Sequence, residues 1–219
     1  MTPSSHPPDV LLTASAAGTL DLGWHIAVAT HVHGCAQCRA WIRMTESVGG
    51  ALLENSPPAV MSREALRMVE ARFGEAVAAP YACERPGPQT GLLADIPGLP
   101  GFVRSYPAGP WRWVAPGIHL LPIYPSAAEE ARVFLLKARA GLKLLPHTHT
   151  GTEMTCVLTG SFSHDGGQFS PADFDLGDAS VDHTISIDGT TDCVCLVAMS
   201  GKLRLKGFIG RLMQNFVSI

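Results

Sequence analysis

Basic residues are missing from the first 38 positions of the chain, and Arg39 is the first. A segment without Lys or Arg has nothing to set against a row of phosphates, so direct nucleic-acid binding by this end is excluded. The same gap removes the basic start of a secretory leader, and no continuous apolar stretch is found there. Long apolar runs are also lacking: Val133–Leu136, for one, has four residues, against roughly 20 for a membrane-spanning helix. Charge is sparse, at 16% of residues, and the net charge of −3 with a sequence pI ≈ 6.3 offers no general basic field. The six cysteines fall as Cys35/Cys38, Cys83, Cys156 and Cys193/Cys195, two close pairs and two singletons, unlike a secreted disulfide framework. The expectation is a cytoplasmic protein with reduced thiols, no membrane contact and no direct contact with nucleic acid.

What the chain does have is apolar material and metal-ligand residue types. Hydrophobic residues make up 46%, which excludes disorder throughout and leaves ample core. Nine His and six Cys stand against only 16 Lys and Arg. The 219 residues allow one domain of about 200 residues or two modest ones.

The pattern along the chain favours two. The first ~75 residues read as helical. Asp9 is positioned to cap a helix through Ala17, with Gly18 at its end, and Asp21 to cap a second running to about His31. A third begins near Cys35, where Cys38, Trp41, Ile42, Val48 and Leu52 recur at helical spacing and predict one buried stripe. After Pro57 and Pro58, Ser62 is placed to cap a fourth helix with Leu66, Val69 and Phe73 on one face. Ten of the seventeen prolines then fall between Pro80 and Pro125, which predicts a linker followed by edge strands or turns. From Trp111 onward short apolar runs alternate with Gly, Asp and Ser turns. Arg132–Ala138, Met154–Leu158, Phe174–Leu176, His183–Ile187 and Asp192–Ala198 are candidate strands of a small barrel or sandwich. The tail after Gly201 is expected to end in a strand and a helical turn.

Two clusters of ligand-type residues stand out. His31, Cys35 and Cys38 place a His at the end of one helix and two Cys three apart in the first turn of the next, on one face. A helix N-terminus and a cation both favour thiolate over thiol. Zinc in a structural site takes four N/S ligands, and this spacing supplies three. His6, His25 and His33 are each candidates for the fourth. The second cluster is His147, His149 and Glu153, flanked by Gly141 and Gly160. His147 and His149 share a face of a strand, and Gly151 permits a turn that returns Glu153 towards them. Thr155 and Val157 continue the inward parity, while Met154, Cys156 and Leu158 face the other way. His183 lies thirty residues beyond Glu153, a distance that suits a neighbouring strand. Three imidazoles and a carboxylate form a mixed N/O site for zinc, or for Fe, Mn or Ni with open positions. His119 and His164 read as surface or loop residues, and Cys193 and Cys195 as small core residues on an apolar strand.

The second cluster resembles the first conserved motif of the cupin superfamily, G-x5-H-x-H-x3-E-x6-G, over its full length. In place of the usual P-x-G turn before the later His, this chain has Leu176-Gly177-Asp178, with His183 six beyond the Gly. The whole chain resembles the ChrR-type zinc-binding anti-sigma factors. The matching stretches are Asp9-Val-Leu-Leu-Thr, Ala16-Ala-Gly-Thr-Leu20, Ala29-Thr-His31 with Cys35 and Cys38, Val48-Gly-Gly, the cupin motif, Asp182-His-Thr184 and Asp192-Cys-Val-Cys-Leu196. The resemblance implies an α+β chain of two domains. Residues 1–80 would be a small all-α zinc-binding anti-sigma domain, 81–105 a proline-rich linker, and 106–219 an all-β cupin, a jelly-roll barrel, with its tail. It maps one set of metal ligands onto His6, His31, Cys35 and Cys38, which selects His6 over His25 and His33. It maps a second set onto His147, His149, Glu153 and His183. No catalytic residue is implied. The implied partner is an extracytoplasmic-function (ECF) sigma factor, held by the helical domain and released when the cupin domain senses singlet oxygen or an organic hydroperoxide. The competing expectation is a metal-dependent cupin enzyme, such as a small-substrate dioxygenase.

Overall fold

The computed structural model of the chain describes residues 2–73, 91–125, 130–144, 147–177 and 184–205. Four helices come first: α1 (Asp9–Ala16), α2 (Leu22–Gly34), α3 (Ala36–Glu54) and α4 (Ala65–Ala71). Eleven strands follow: β1 (Arg112–Ala115), β2 (Ile118–Ile123), β3 (Arg132–Ala138), β4 (His147–His149), β5 (Glu153–Thr159), β6 (Phe162–His164), β7 (Gly167–Phe169), β8 (Phe174–Gly177), β9 (Ser186–Ile187), β10 (Cys193–Met199) and β11 (Leu203–Leu205). The order of helices before strands is the one the sequence pattern predicts.

The helix signals differ in how well they hold. Asp21 caps α2, its carboxylate accepting from the Gly23 amide at 3.1 Å. The helix runs on to Gly34, three residues beyond the expected end at His31. Asp9 does not cap α1. Pro8 holds that position in an extended conformation, and Asp9 becomes the first helical residue, where its charge still suits the positive end of the helix dipole. The predicted stripe on α3 is buried only at its start. Cys38 is buried and Trp41 and Ile42 pack against the core, but Val48 is 57% and Leu52 69% exposed. The reason is length. With 19 residues, α3 reaches about 28 Å; α1 has only 8 residues to lay against it. Ser62 does not cap α4, which starts after Glu64, and Leu66, Val69 and Phe73 are all exposed.

The strands form a six-stranded antiparallel sheet in the order β1-β2-β3-β10-β5-β8, a three-stranded sheet β7-β6-β9, and a pair β11-β4. The large sheet is buried on both faces. On the inner face Phe134, Val157, Cys193, Cys195, Val197 and Met199 meet Phe162, Phe169 and Ile187 of the small sheet. On the outer face Leu121, Val133, Leu135, Met154, Cys156, Leu158 and Leu196 share one core with Ile26, Ala27 and Val28 of α2. Burial on both sides explains the near-continuous apolar reading of β3 and β10.

Residues 91–105, within the expected linker, pack into the outer core. Leu93, Leu99 and Val103 are buried there. Arg104 ties the segment down, its guanidinium donating to the carbonyls of Leu99 at 3.1 Å, Ile96 at 3.0 Å and Ala94. The expected tail strand is present as β11; the helical turn expected after it lies outside the described residues. Of the expected strand His183–Ile187, Ser186–Ile187 is observed and His183 lies outside the described residues.

Candidate metal centres

The first centre is built where two helices join. His31 sits in the last turn of α2 and Cys38 in the first turn of α3. Cys35 is at once the C-cap of α2 and the N-cap of α3, in an extended conformation (φ −109°, ψ 112°). Its sulfur accepts from the Cys38 amide at 3.5 Å. Arg39 closes the end of α2 by donating to the carbonyls of Val32 at 3.0 Å and His33 at 2.6 Å. His6 arrives from the segment before α1. The four ligand-type atoms, one each from His6, His31, Cys35 and Cys38, lie within 4.8 Å of one another.

The individual distances test the fit. His31 Nε2 is 3.3 Å from His6 Nδ1 and 3.2 Å from Cys38 Sγ. His6 Nδ1 is 3.5 Å from Cys35 Sγ and 3.4 Å from Cys38 Sγ. Around a tetrahedral zinc with ordinary Zn–N and Zn–S bonds, such edges run from about 3.3 to 3.8 Å; three of the four distances fall in that range and the fourth, His31 Nε2 to Cys38 Sγ at 3.2 Å, just below it. The donor set and its spacing therefore fit a closed tetrahedral ion, with His6 Nδ1 and His31 Nε2 as the nitrogen donors. His31, Cys35 and Cys38 are buried and His6 half-buried. His31 Nδ1 donates to the Ala172 carbonyl at 2.6 Å, which leaves Nε2 as the free lone pair. Burial pushes the His31 imidazole down to about 4, so it is neutral at pH 7. Burial, with Cys35 beside it, pushes the Cys38 thiol up to about 12. A bound dication has to displace that proton, so binding releases protons and weakens in acid. His25 and His33 are not in the cluster; His25 instead pairs with the Ser15 hydroxyl at 3.1 Å.

The second cluster is distributed differently. His147 and His149 are the ends of β4, whose backbone pairs with β11. Glu153 opens β5 and accepts from the Thr155 hydroxyl at 3.0 Å. Glu153, Thr155, Asp175, Cys193 and Cys195 line a cavity of about 30 Å³ between the two sheets. The predicted parity of β5 holds, with Glu153, Thr155 and Val157 inward and Met154, Cys156 and Leu158 towards the helices. Gly141 and Gly160 both have positive φ (70° and 71°), a conformation that favours glycine at these two ends of the motif.

Of the two histidines read from the sequence as surface or loop residues, His119 is at the surface as expected and His164 is placed otherwise. His164 is 7% exposed, stacked on Phe169 at 4.9 Å, and donates from Nε2 to Asp175 Oδ2 at 3.1 Å. Its Nδ1 accepts from the Gly166 amide at 2.9 Å. His119 lines a surface cleft with Trp111, Lys137, Arg139 and Asp192. Cys193 and Cys195 are buried as expected, with sulfurs 3.6 Å apart, and the neighbouring thiol and burial push the Cys195 thiol well up. The contribution of residues 170–174 to the first centre carried no sequence signal: no His, Cys or spacing rule points there.

Comparison with known proteins adds the family. A family profile described as the ChrR cupin-like domain matches residues 102–202. The anti-sigma-E factor ChrR of Cereibacter sphaeroides is 34% identical over 220 residues, covering 100% of each chain. A crystal structure of Rhodobacter sphaeroides SigE in complex with the anti-sigma ChrR matches with TM-score 0.70 and 32% identity, over 91% of this chain and 100% of that one. An RmlC-like cupin protein from Ralstonia eutropha matches with 23% identity and TM-score 0.41, over 46% of this chain and 68% of that one. With a relative this similar along its entire length, and with the His/Cys cluster and the two-sheet β-domain following one another in a single chain, the protein belongs to the ChrR family of anti-sigma factors.

Proposed function

We propose that the chain sequesters an ECF sigma factor through its helical module and releases it under oxidative stress. The observation that carries this reading is the match over 91% of the chain to an anti-sigma factor solved in complex with its sigma factor. Exposed apolar side chains of the N-terminal module support it. Met44, Val48, Leu52 and Leu53 of α3, then Val60, Met61 and Phe73, are between 54% and 102% exposed. Solvated apolar side chains on α3, on the connection after it and just past α4 suit a partner that covers them.

In this reading zinc is held by His6, His31, Cys35 and Cys38 and fixes the α2–α3 junction, because a module with few buried residues of its own needs a staple. The second ion would be held by His147, His149, Glu153 and His183, as zinc or as Fe, Mn or Ni. A cavity of about 30 Å³ beside Glu153 suits a coordinated water or a small oxidant better than an organic substrate. That favours a sensor of a small oxidant such as singlet oxygen over a dioxygenase acting on an organic substrate. We place the anti-sigma domain at residues 1–80, the connection at 81–105 and the cupin at 106–219. No helix among the described residues is long and apolar enough to cross a membrane, and a cytoplasmic site of action follows from the partner.

Pull-down with an ECF sigma factor of the same organism tests the proposal. Capture by the metal-loaded full-length chain is expected, and release after exposure to singlet oxygen. A fully metal-loaded chain with no affinity for the sigma factor would refute it.

A further inference from the structure

The β-domain reaches into the first metal centre. The Ala172 carbonyl accepts a hydrogen bond from Nδ1 of His31 at 2.6 Å. The next residue, Asp173, is 3% exposed, and its Oδ1 accepts from the amides of Ser4 at 2.6 Å and Ser5 at 2.9 Å. Its Oδ2 accepts from the Ser170 amide at 2.8 Å. The residue after it, Phe174, donates from its amide to the Ser5 carbonyl at 3.1 Å and sets its ring 5.9 Å from that of His31. Three consecutive residues of the β-domain thus hold one His ligand directly and the segment that carries the other.

Two further features show that this contact is built. Ala172 has φ 70°, and among the described residues no other non-glycine has positive φ. Such a backbone persists only where its surroundings over-determine it; here the Ala172 amide bonds to Val157 and its carbonyl is aimed at His31. On the helical side, Gly34 stands where a Cβ would come within 2.6 Å of Ala172 Cβ. Glycine is what lets the end of α2 approach the turn. At the start of α2 a Cβ on Gly23 would come within 2.7 Å of the Ala131 carbonyl, so the helix is seated closely at both ends.

We propose that residues 172–174 are the outer layer of the His/Cys centre, with Asp173 as a positioning residue for His6 and the Ala172 carbonyl for His31. This rests on the reading of that centre as a metal site. The helical module then supplies both cysteines itself, while its two histidines are oriented from the β-domain. Metal retention in the full-length chain depends on the β-domain, and reciprocally the metal stabilises the 170–174 turn. The strand that leaves this turn, β8, pairs Asp175 with Thr155 and Gly177 with Glu153. One four-residue strand therefore joins the first metal centre to the cavity beside Glu153, which gives the sensor domain a short mechanical route to the anti-sigma module.

The test uses the full-length chain loaded with zinc, read by the rate of zinc transfer to a chromogenic chelator. Cobalt substitution serves as a separate check of the site. Asp173→Ala is expected to release the His/Cys ion about 10–100-fold faster than wild type. Asp173→Asn should fall between the two, and Gly34→Ala, which wedges α2 off Ala172, should also accelerate release. Leu121→Ala, a buried change in β2 that touches neither Asp173 nor its hydrogen bonds, is the control for general destabilisation. Hydrogen exchange at the amides of Ser4 and Ser5 should rise in Asp173→Ala and not in Leu121→Ala. Wild-type release rates in both Asp173 variants would overturn the proposal, as would equal acceleration by Leu121→Ala. A wild-type chain whose cobalt form lacks the thiolate bands of a tetrahedral site would instead overturn the metal reading itself. If Asp173→Ala fails to fold, Asp173→Asn and Gly34→Ala carry the same comparison.

Discussion

The two ends of helix α3 are made for different tasks. Its first turn carries Cys38, 2% exposed, inside a cluster of four ligand-type side chains. Its last turns carry Leu52 at 69% and Leu53 at 77% exposure, with nothing of the described chain laid over them. The sequence pattern is the same at both ends, apolar residues at helical spacing. What differs is whether another part of the same chain is long enough to cover them. One end is stapled to the body of the molecule, and the other projects apolar side chains for a partner.

The largest effect expected from breaking this contrast is at the stapled end. Cys38→Ser removes a proposed ligand, and with it metal-binding free energy on the order of 10 kcal/mol in comparable small zinc domains. Loss of one equivalent of metal, of helical circular dichroism and of sigma affinity together is the expected outcome. A variant that keeps helicity and binding without metal would contradict it. At the projecting end the pattern inverts. Leu52→Asp should change stability by less than about 0.5 kcal/mol, because the side chain is already solvated. Sigma affinity should fall by about 2 kcal/mol or more, roughly 30-fold, as at an interface anchor. Calorimetric unfolding and titration of the same preparation check both halves.

Acid offers a milder probe of the stapled end. In the metal-stripped chain His31 is buried and neutral, with its value lowered from 6.5 to about 4. Between these values the unfolded chain binds more protons than the folded one, so stability falls as pH drops from 6.5 towards 4. His31→Gln should flatten that slope, and an unchanged slope in denaturant titrations across this window would remove His31 as its source. The smallest effect is expected on the rim of the β-domain. Lys137 and Asp192 form a 3.2 Å pair, but both side chains are more than 40% exposed. Lys137→Met should therefore shift stability by no more than about 1 kcal/mol, a limit that thermal melting can check.

Much of this was legible in the residues. Helix-capping at Asp21, the turn of period from helical to alternating, and the inward parity of Glu153, Thr155 and Val157 all follow from local rules that the packing does not override. The His31, Cys35 and Cys38 spacing announces a centre because ligands on one helical junction are local. His6 was not fixed by spacing, since it is brought in by Ser4 and Ser5 bonding to Asp173, over 160 residues away in sequence. The same holds for Ala172, whose role rests on a backbone conformation and a carbonyl that no residue type signals. The exposed half of α3 carries the same signal as a core stripe, because periodicity reports an apolar face without saying what covers it. Leu93, Leu99 and Val103, set among the prolines of the expected linker, fill the outer core, a burial that no local pattern signals.

The account turns on whether the exposed half of α3 is the surface that binds the sigma factor while the buried half holds the metal. The most direct test is titration of an ECF sigma factor of the same organism against the wild-type chain and Leu52→Asp, with metal content measured on both samples. The account predicts a stable complex with wild type, a loss of at least about 30-fold in affinity for Leu52→Asp, and identical metal content. Equal affinity of the two metal-loaded chains would contradict it.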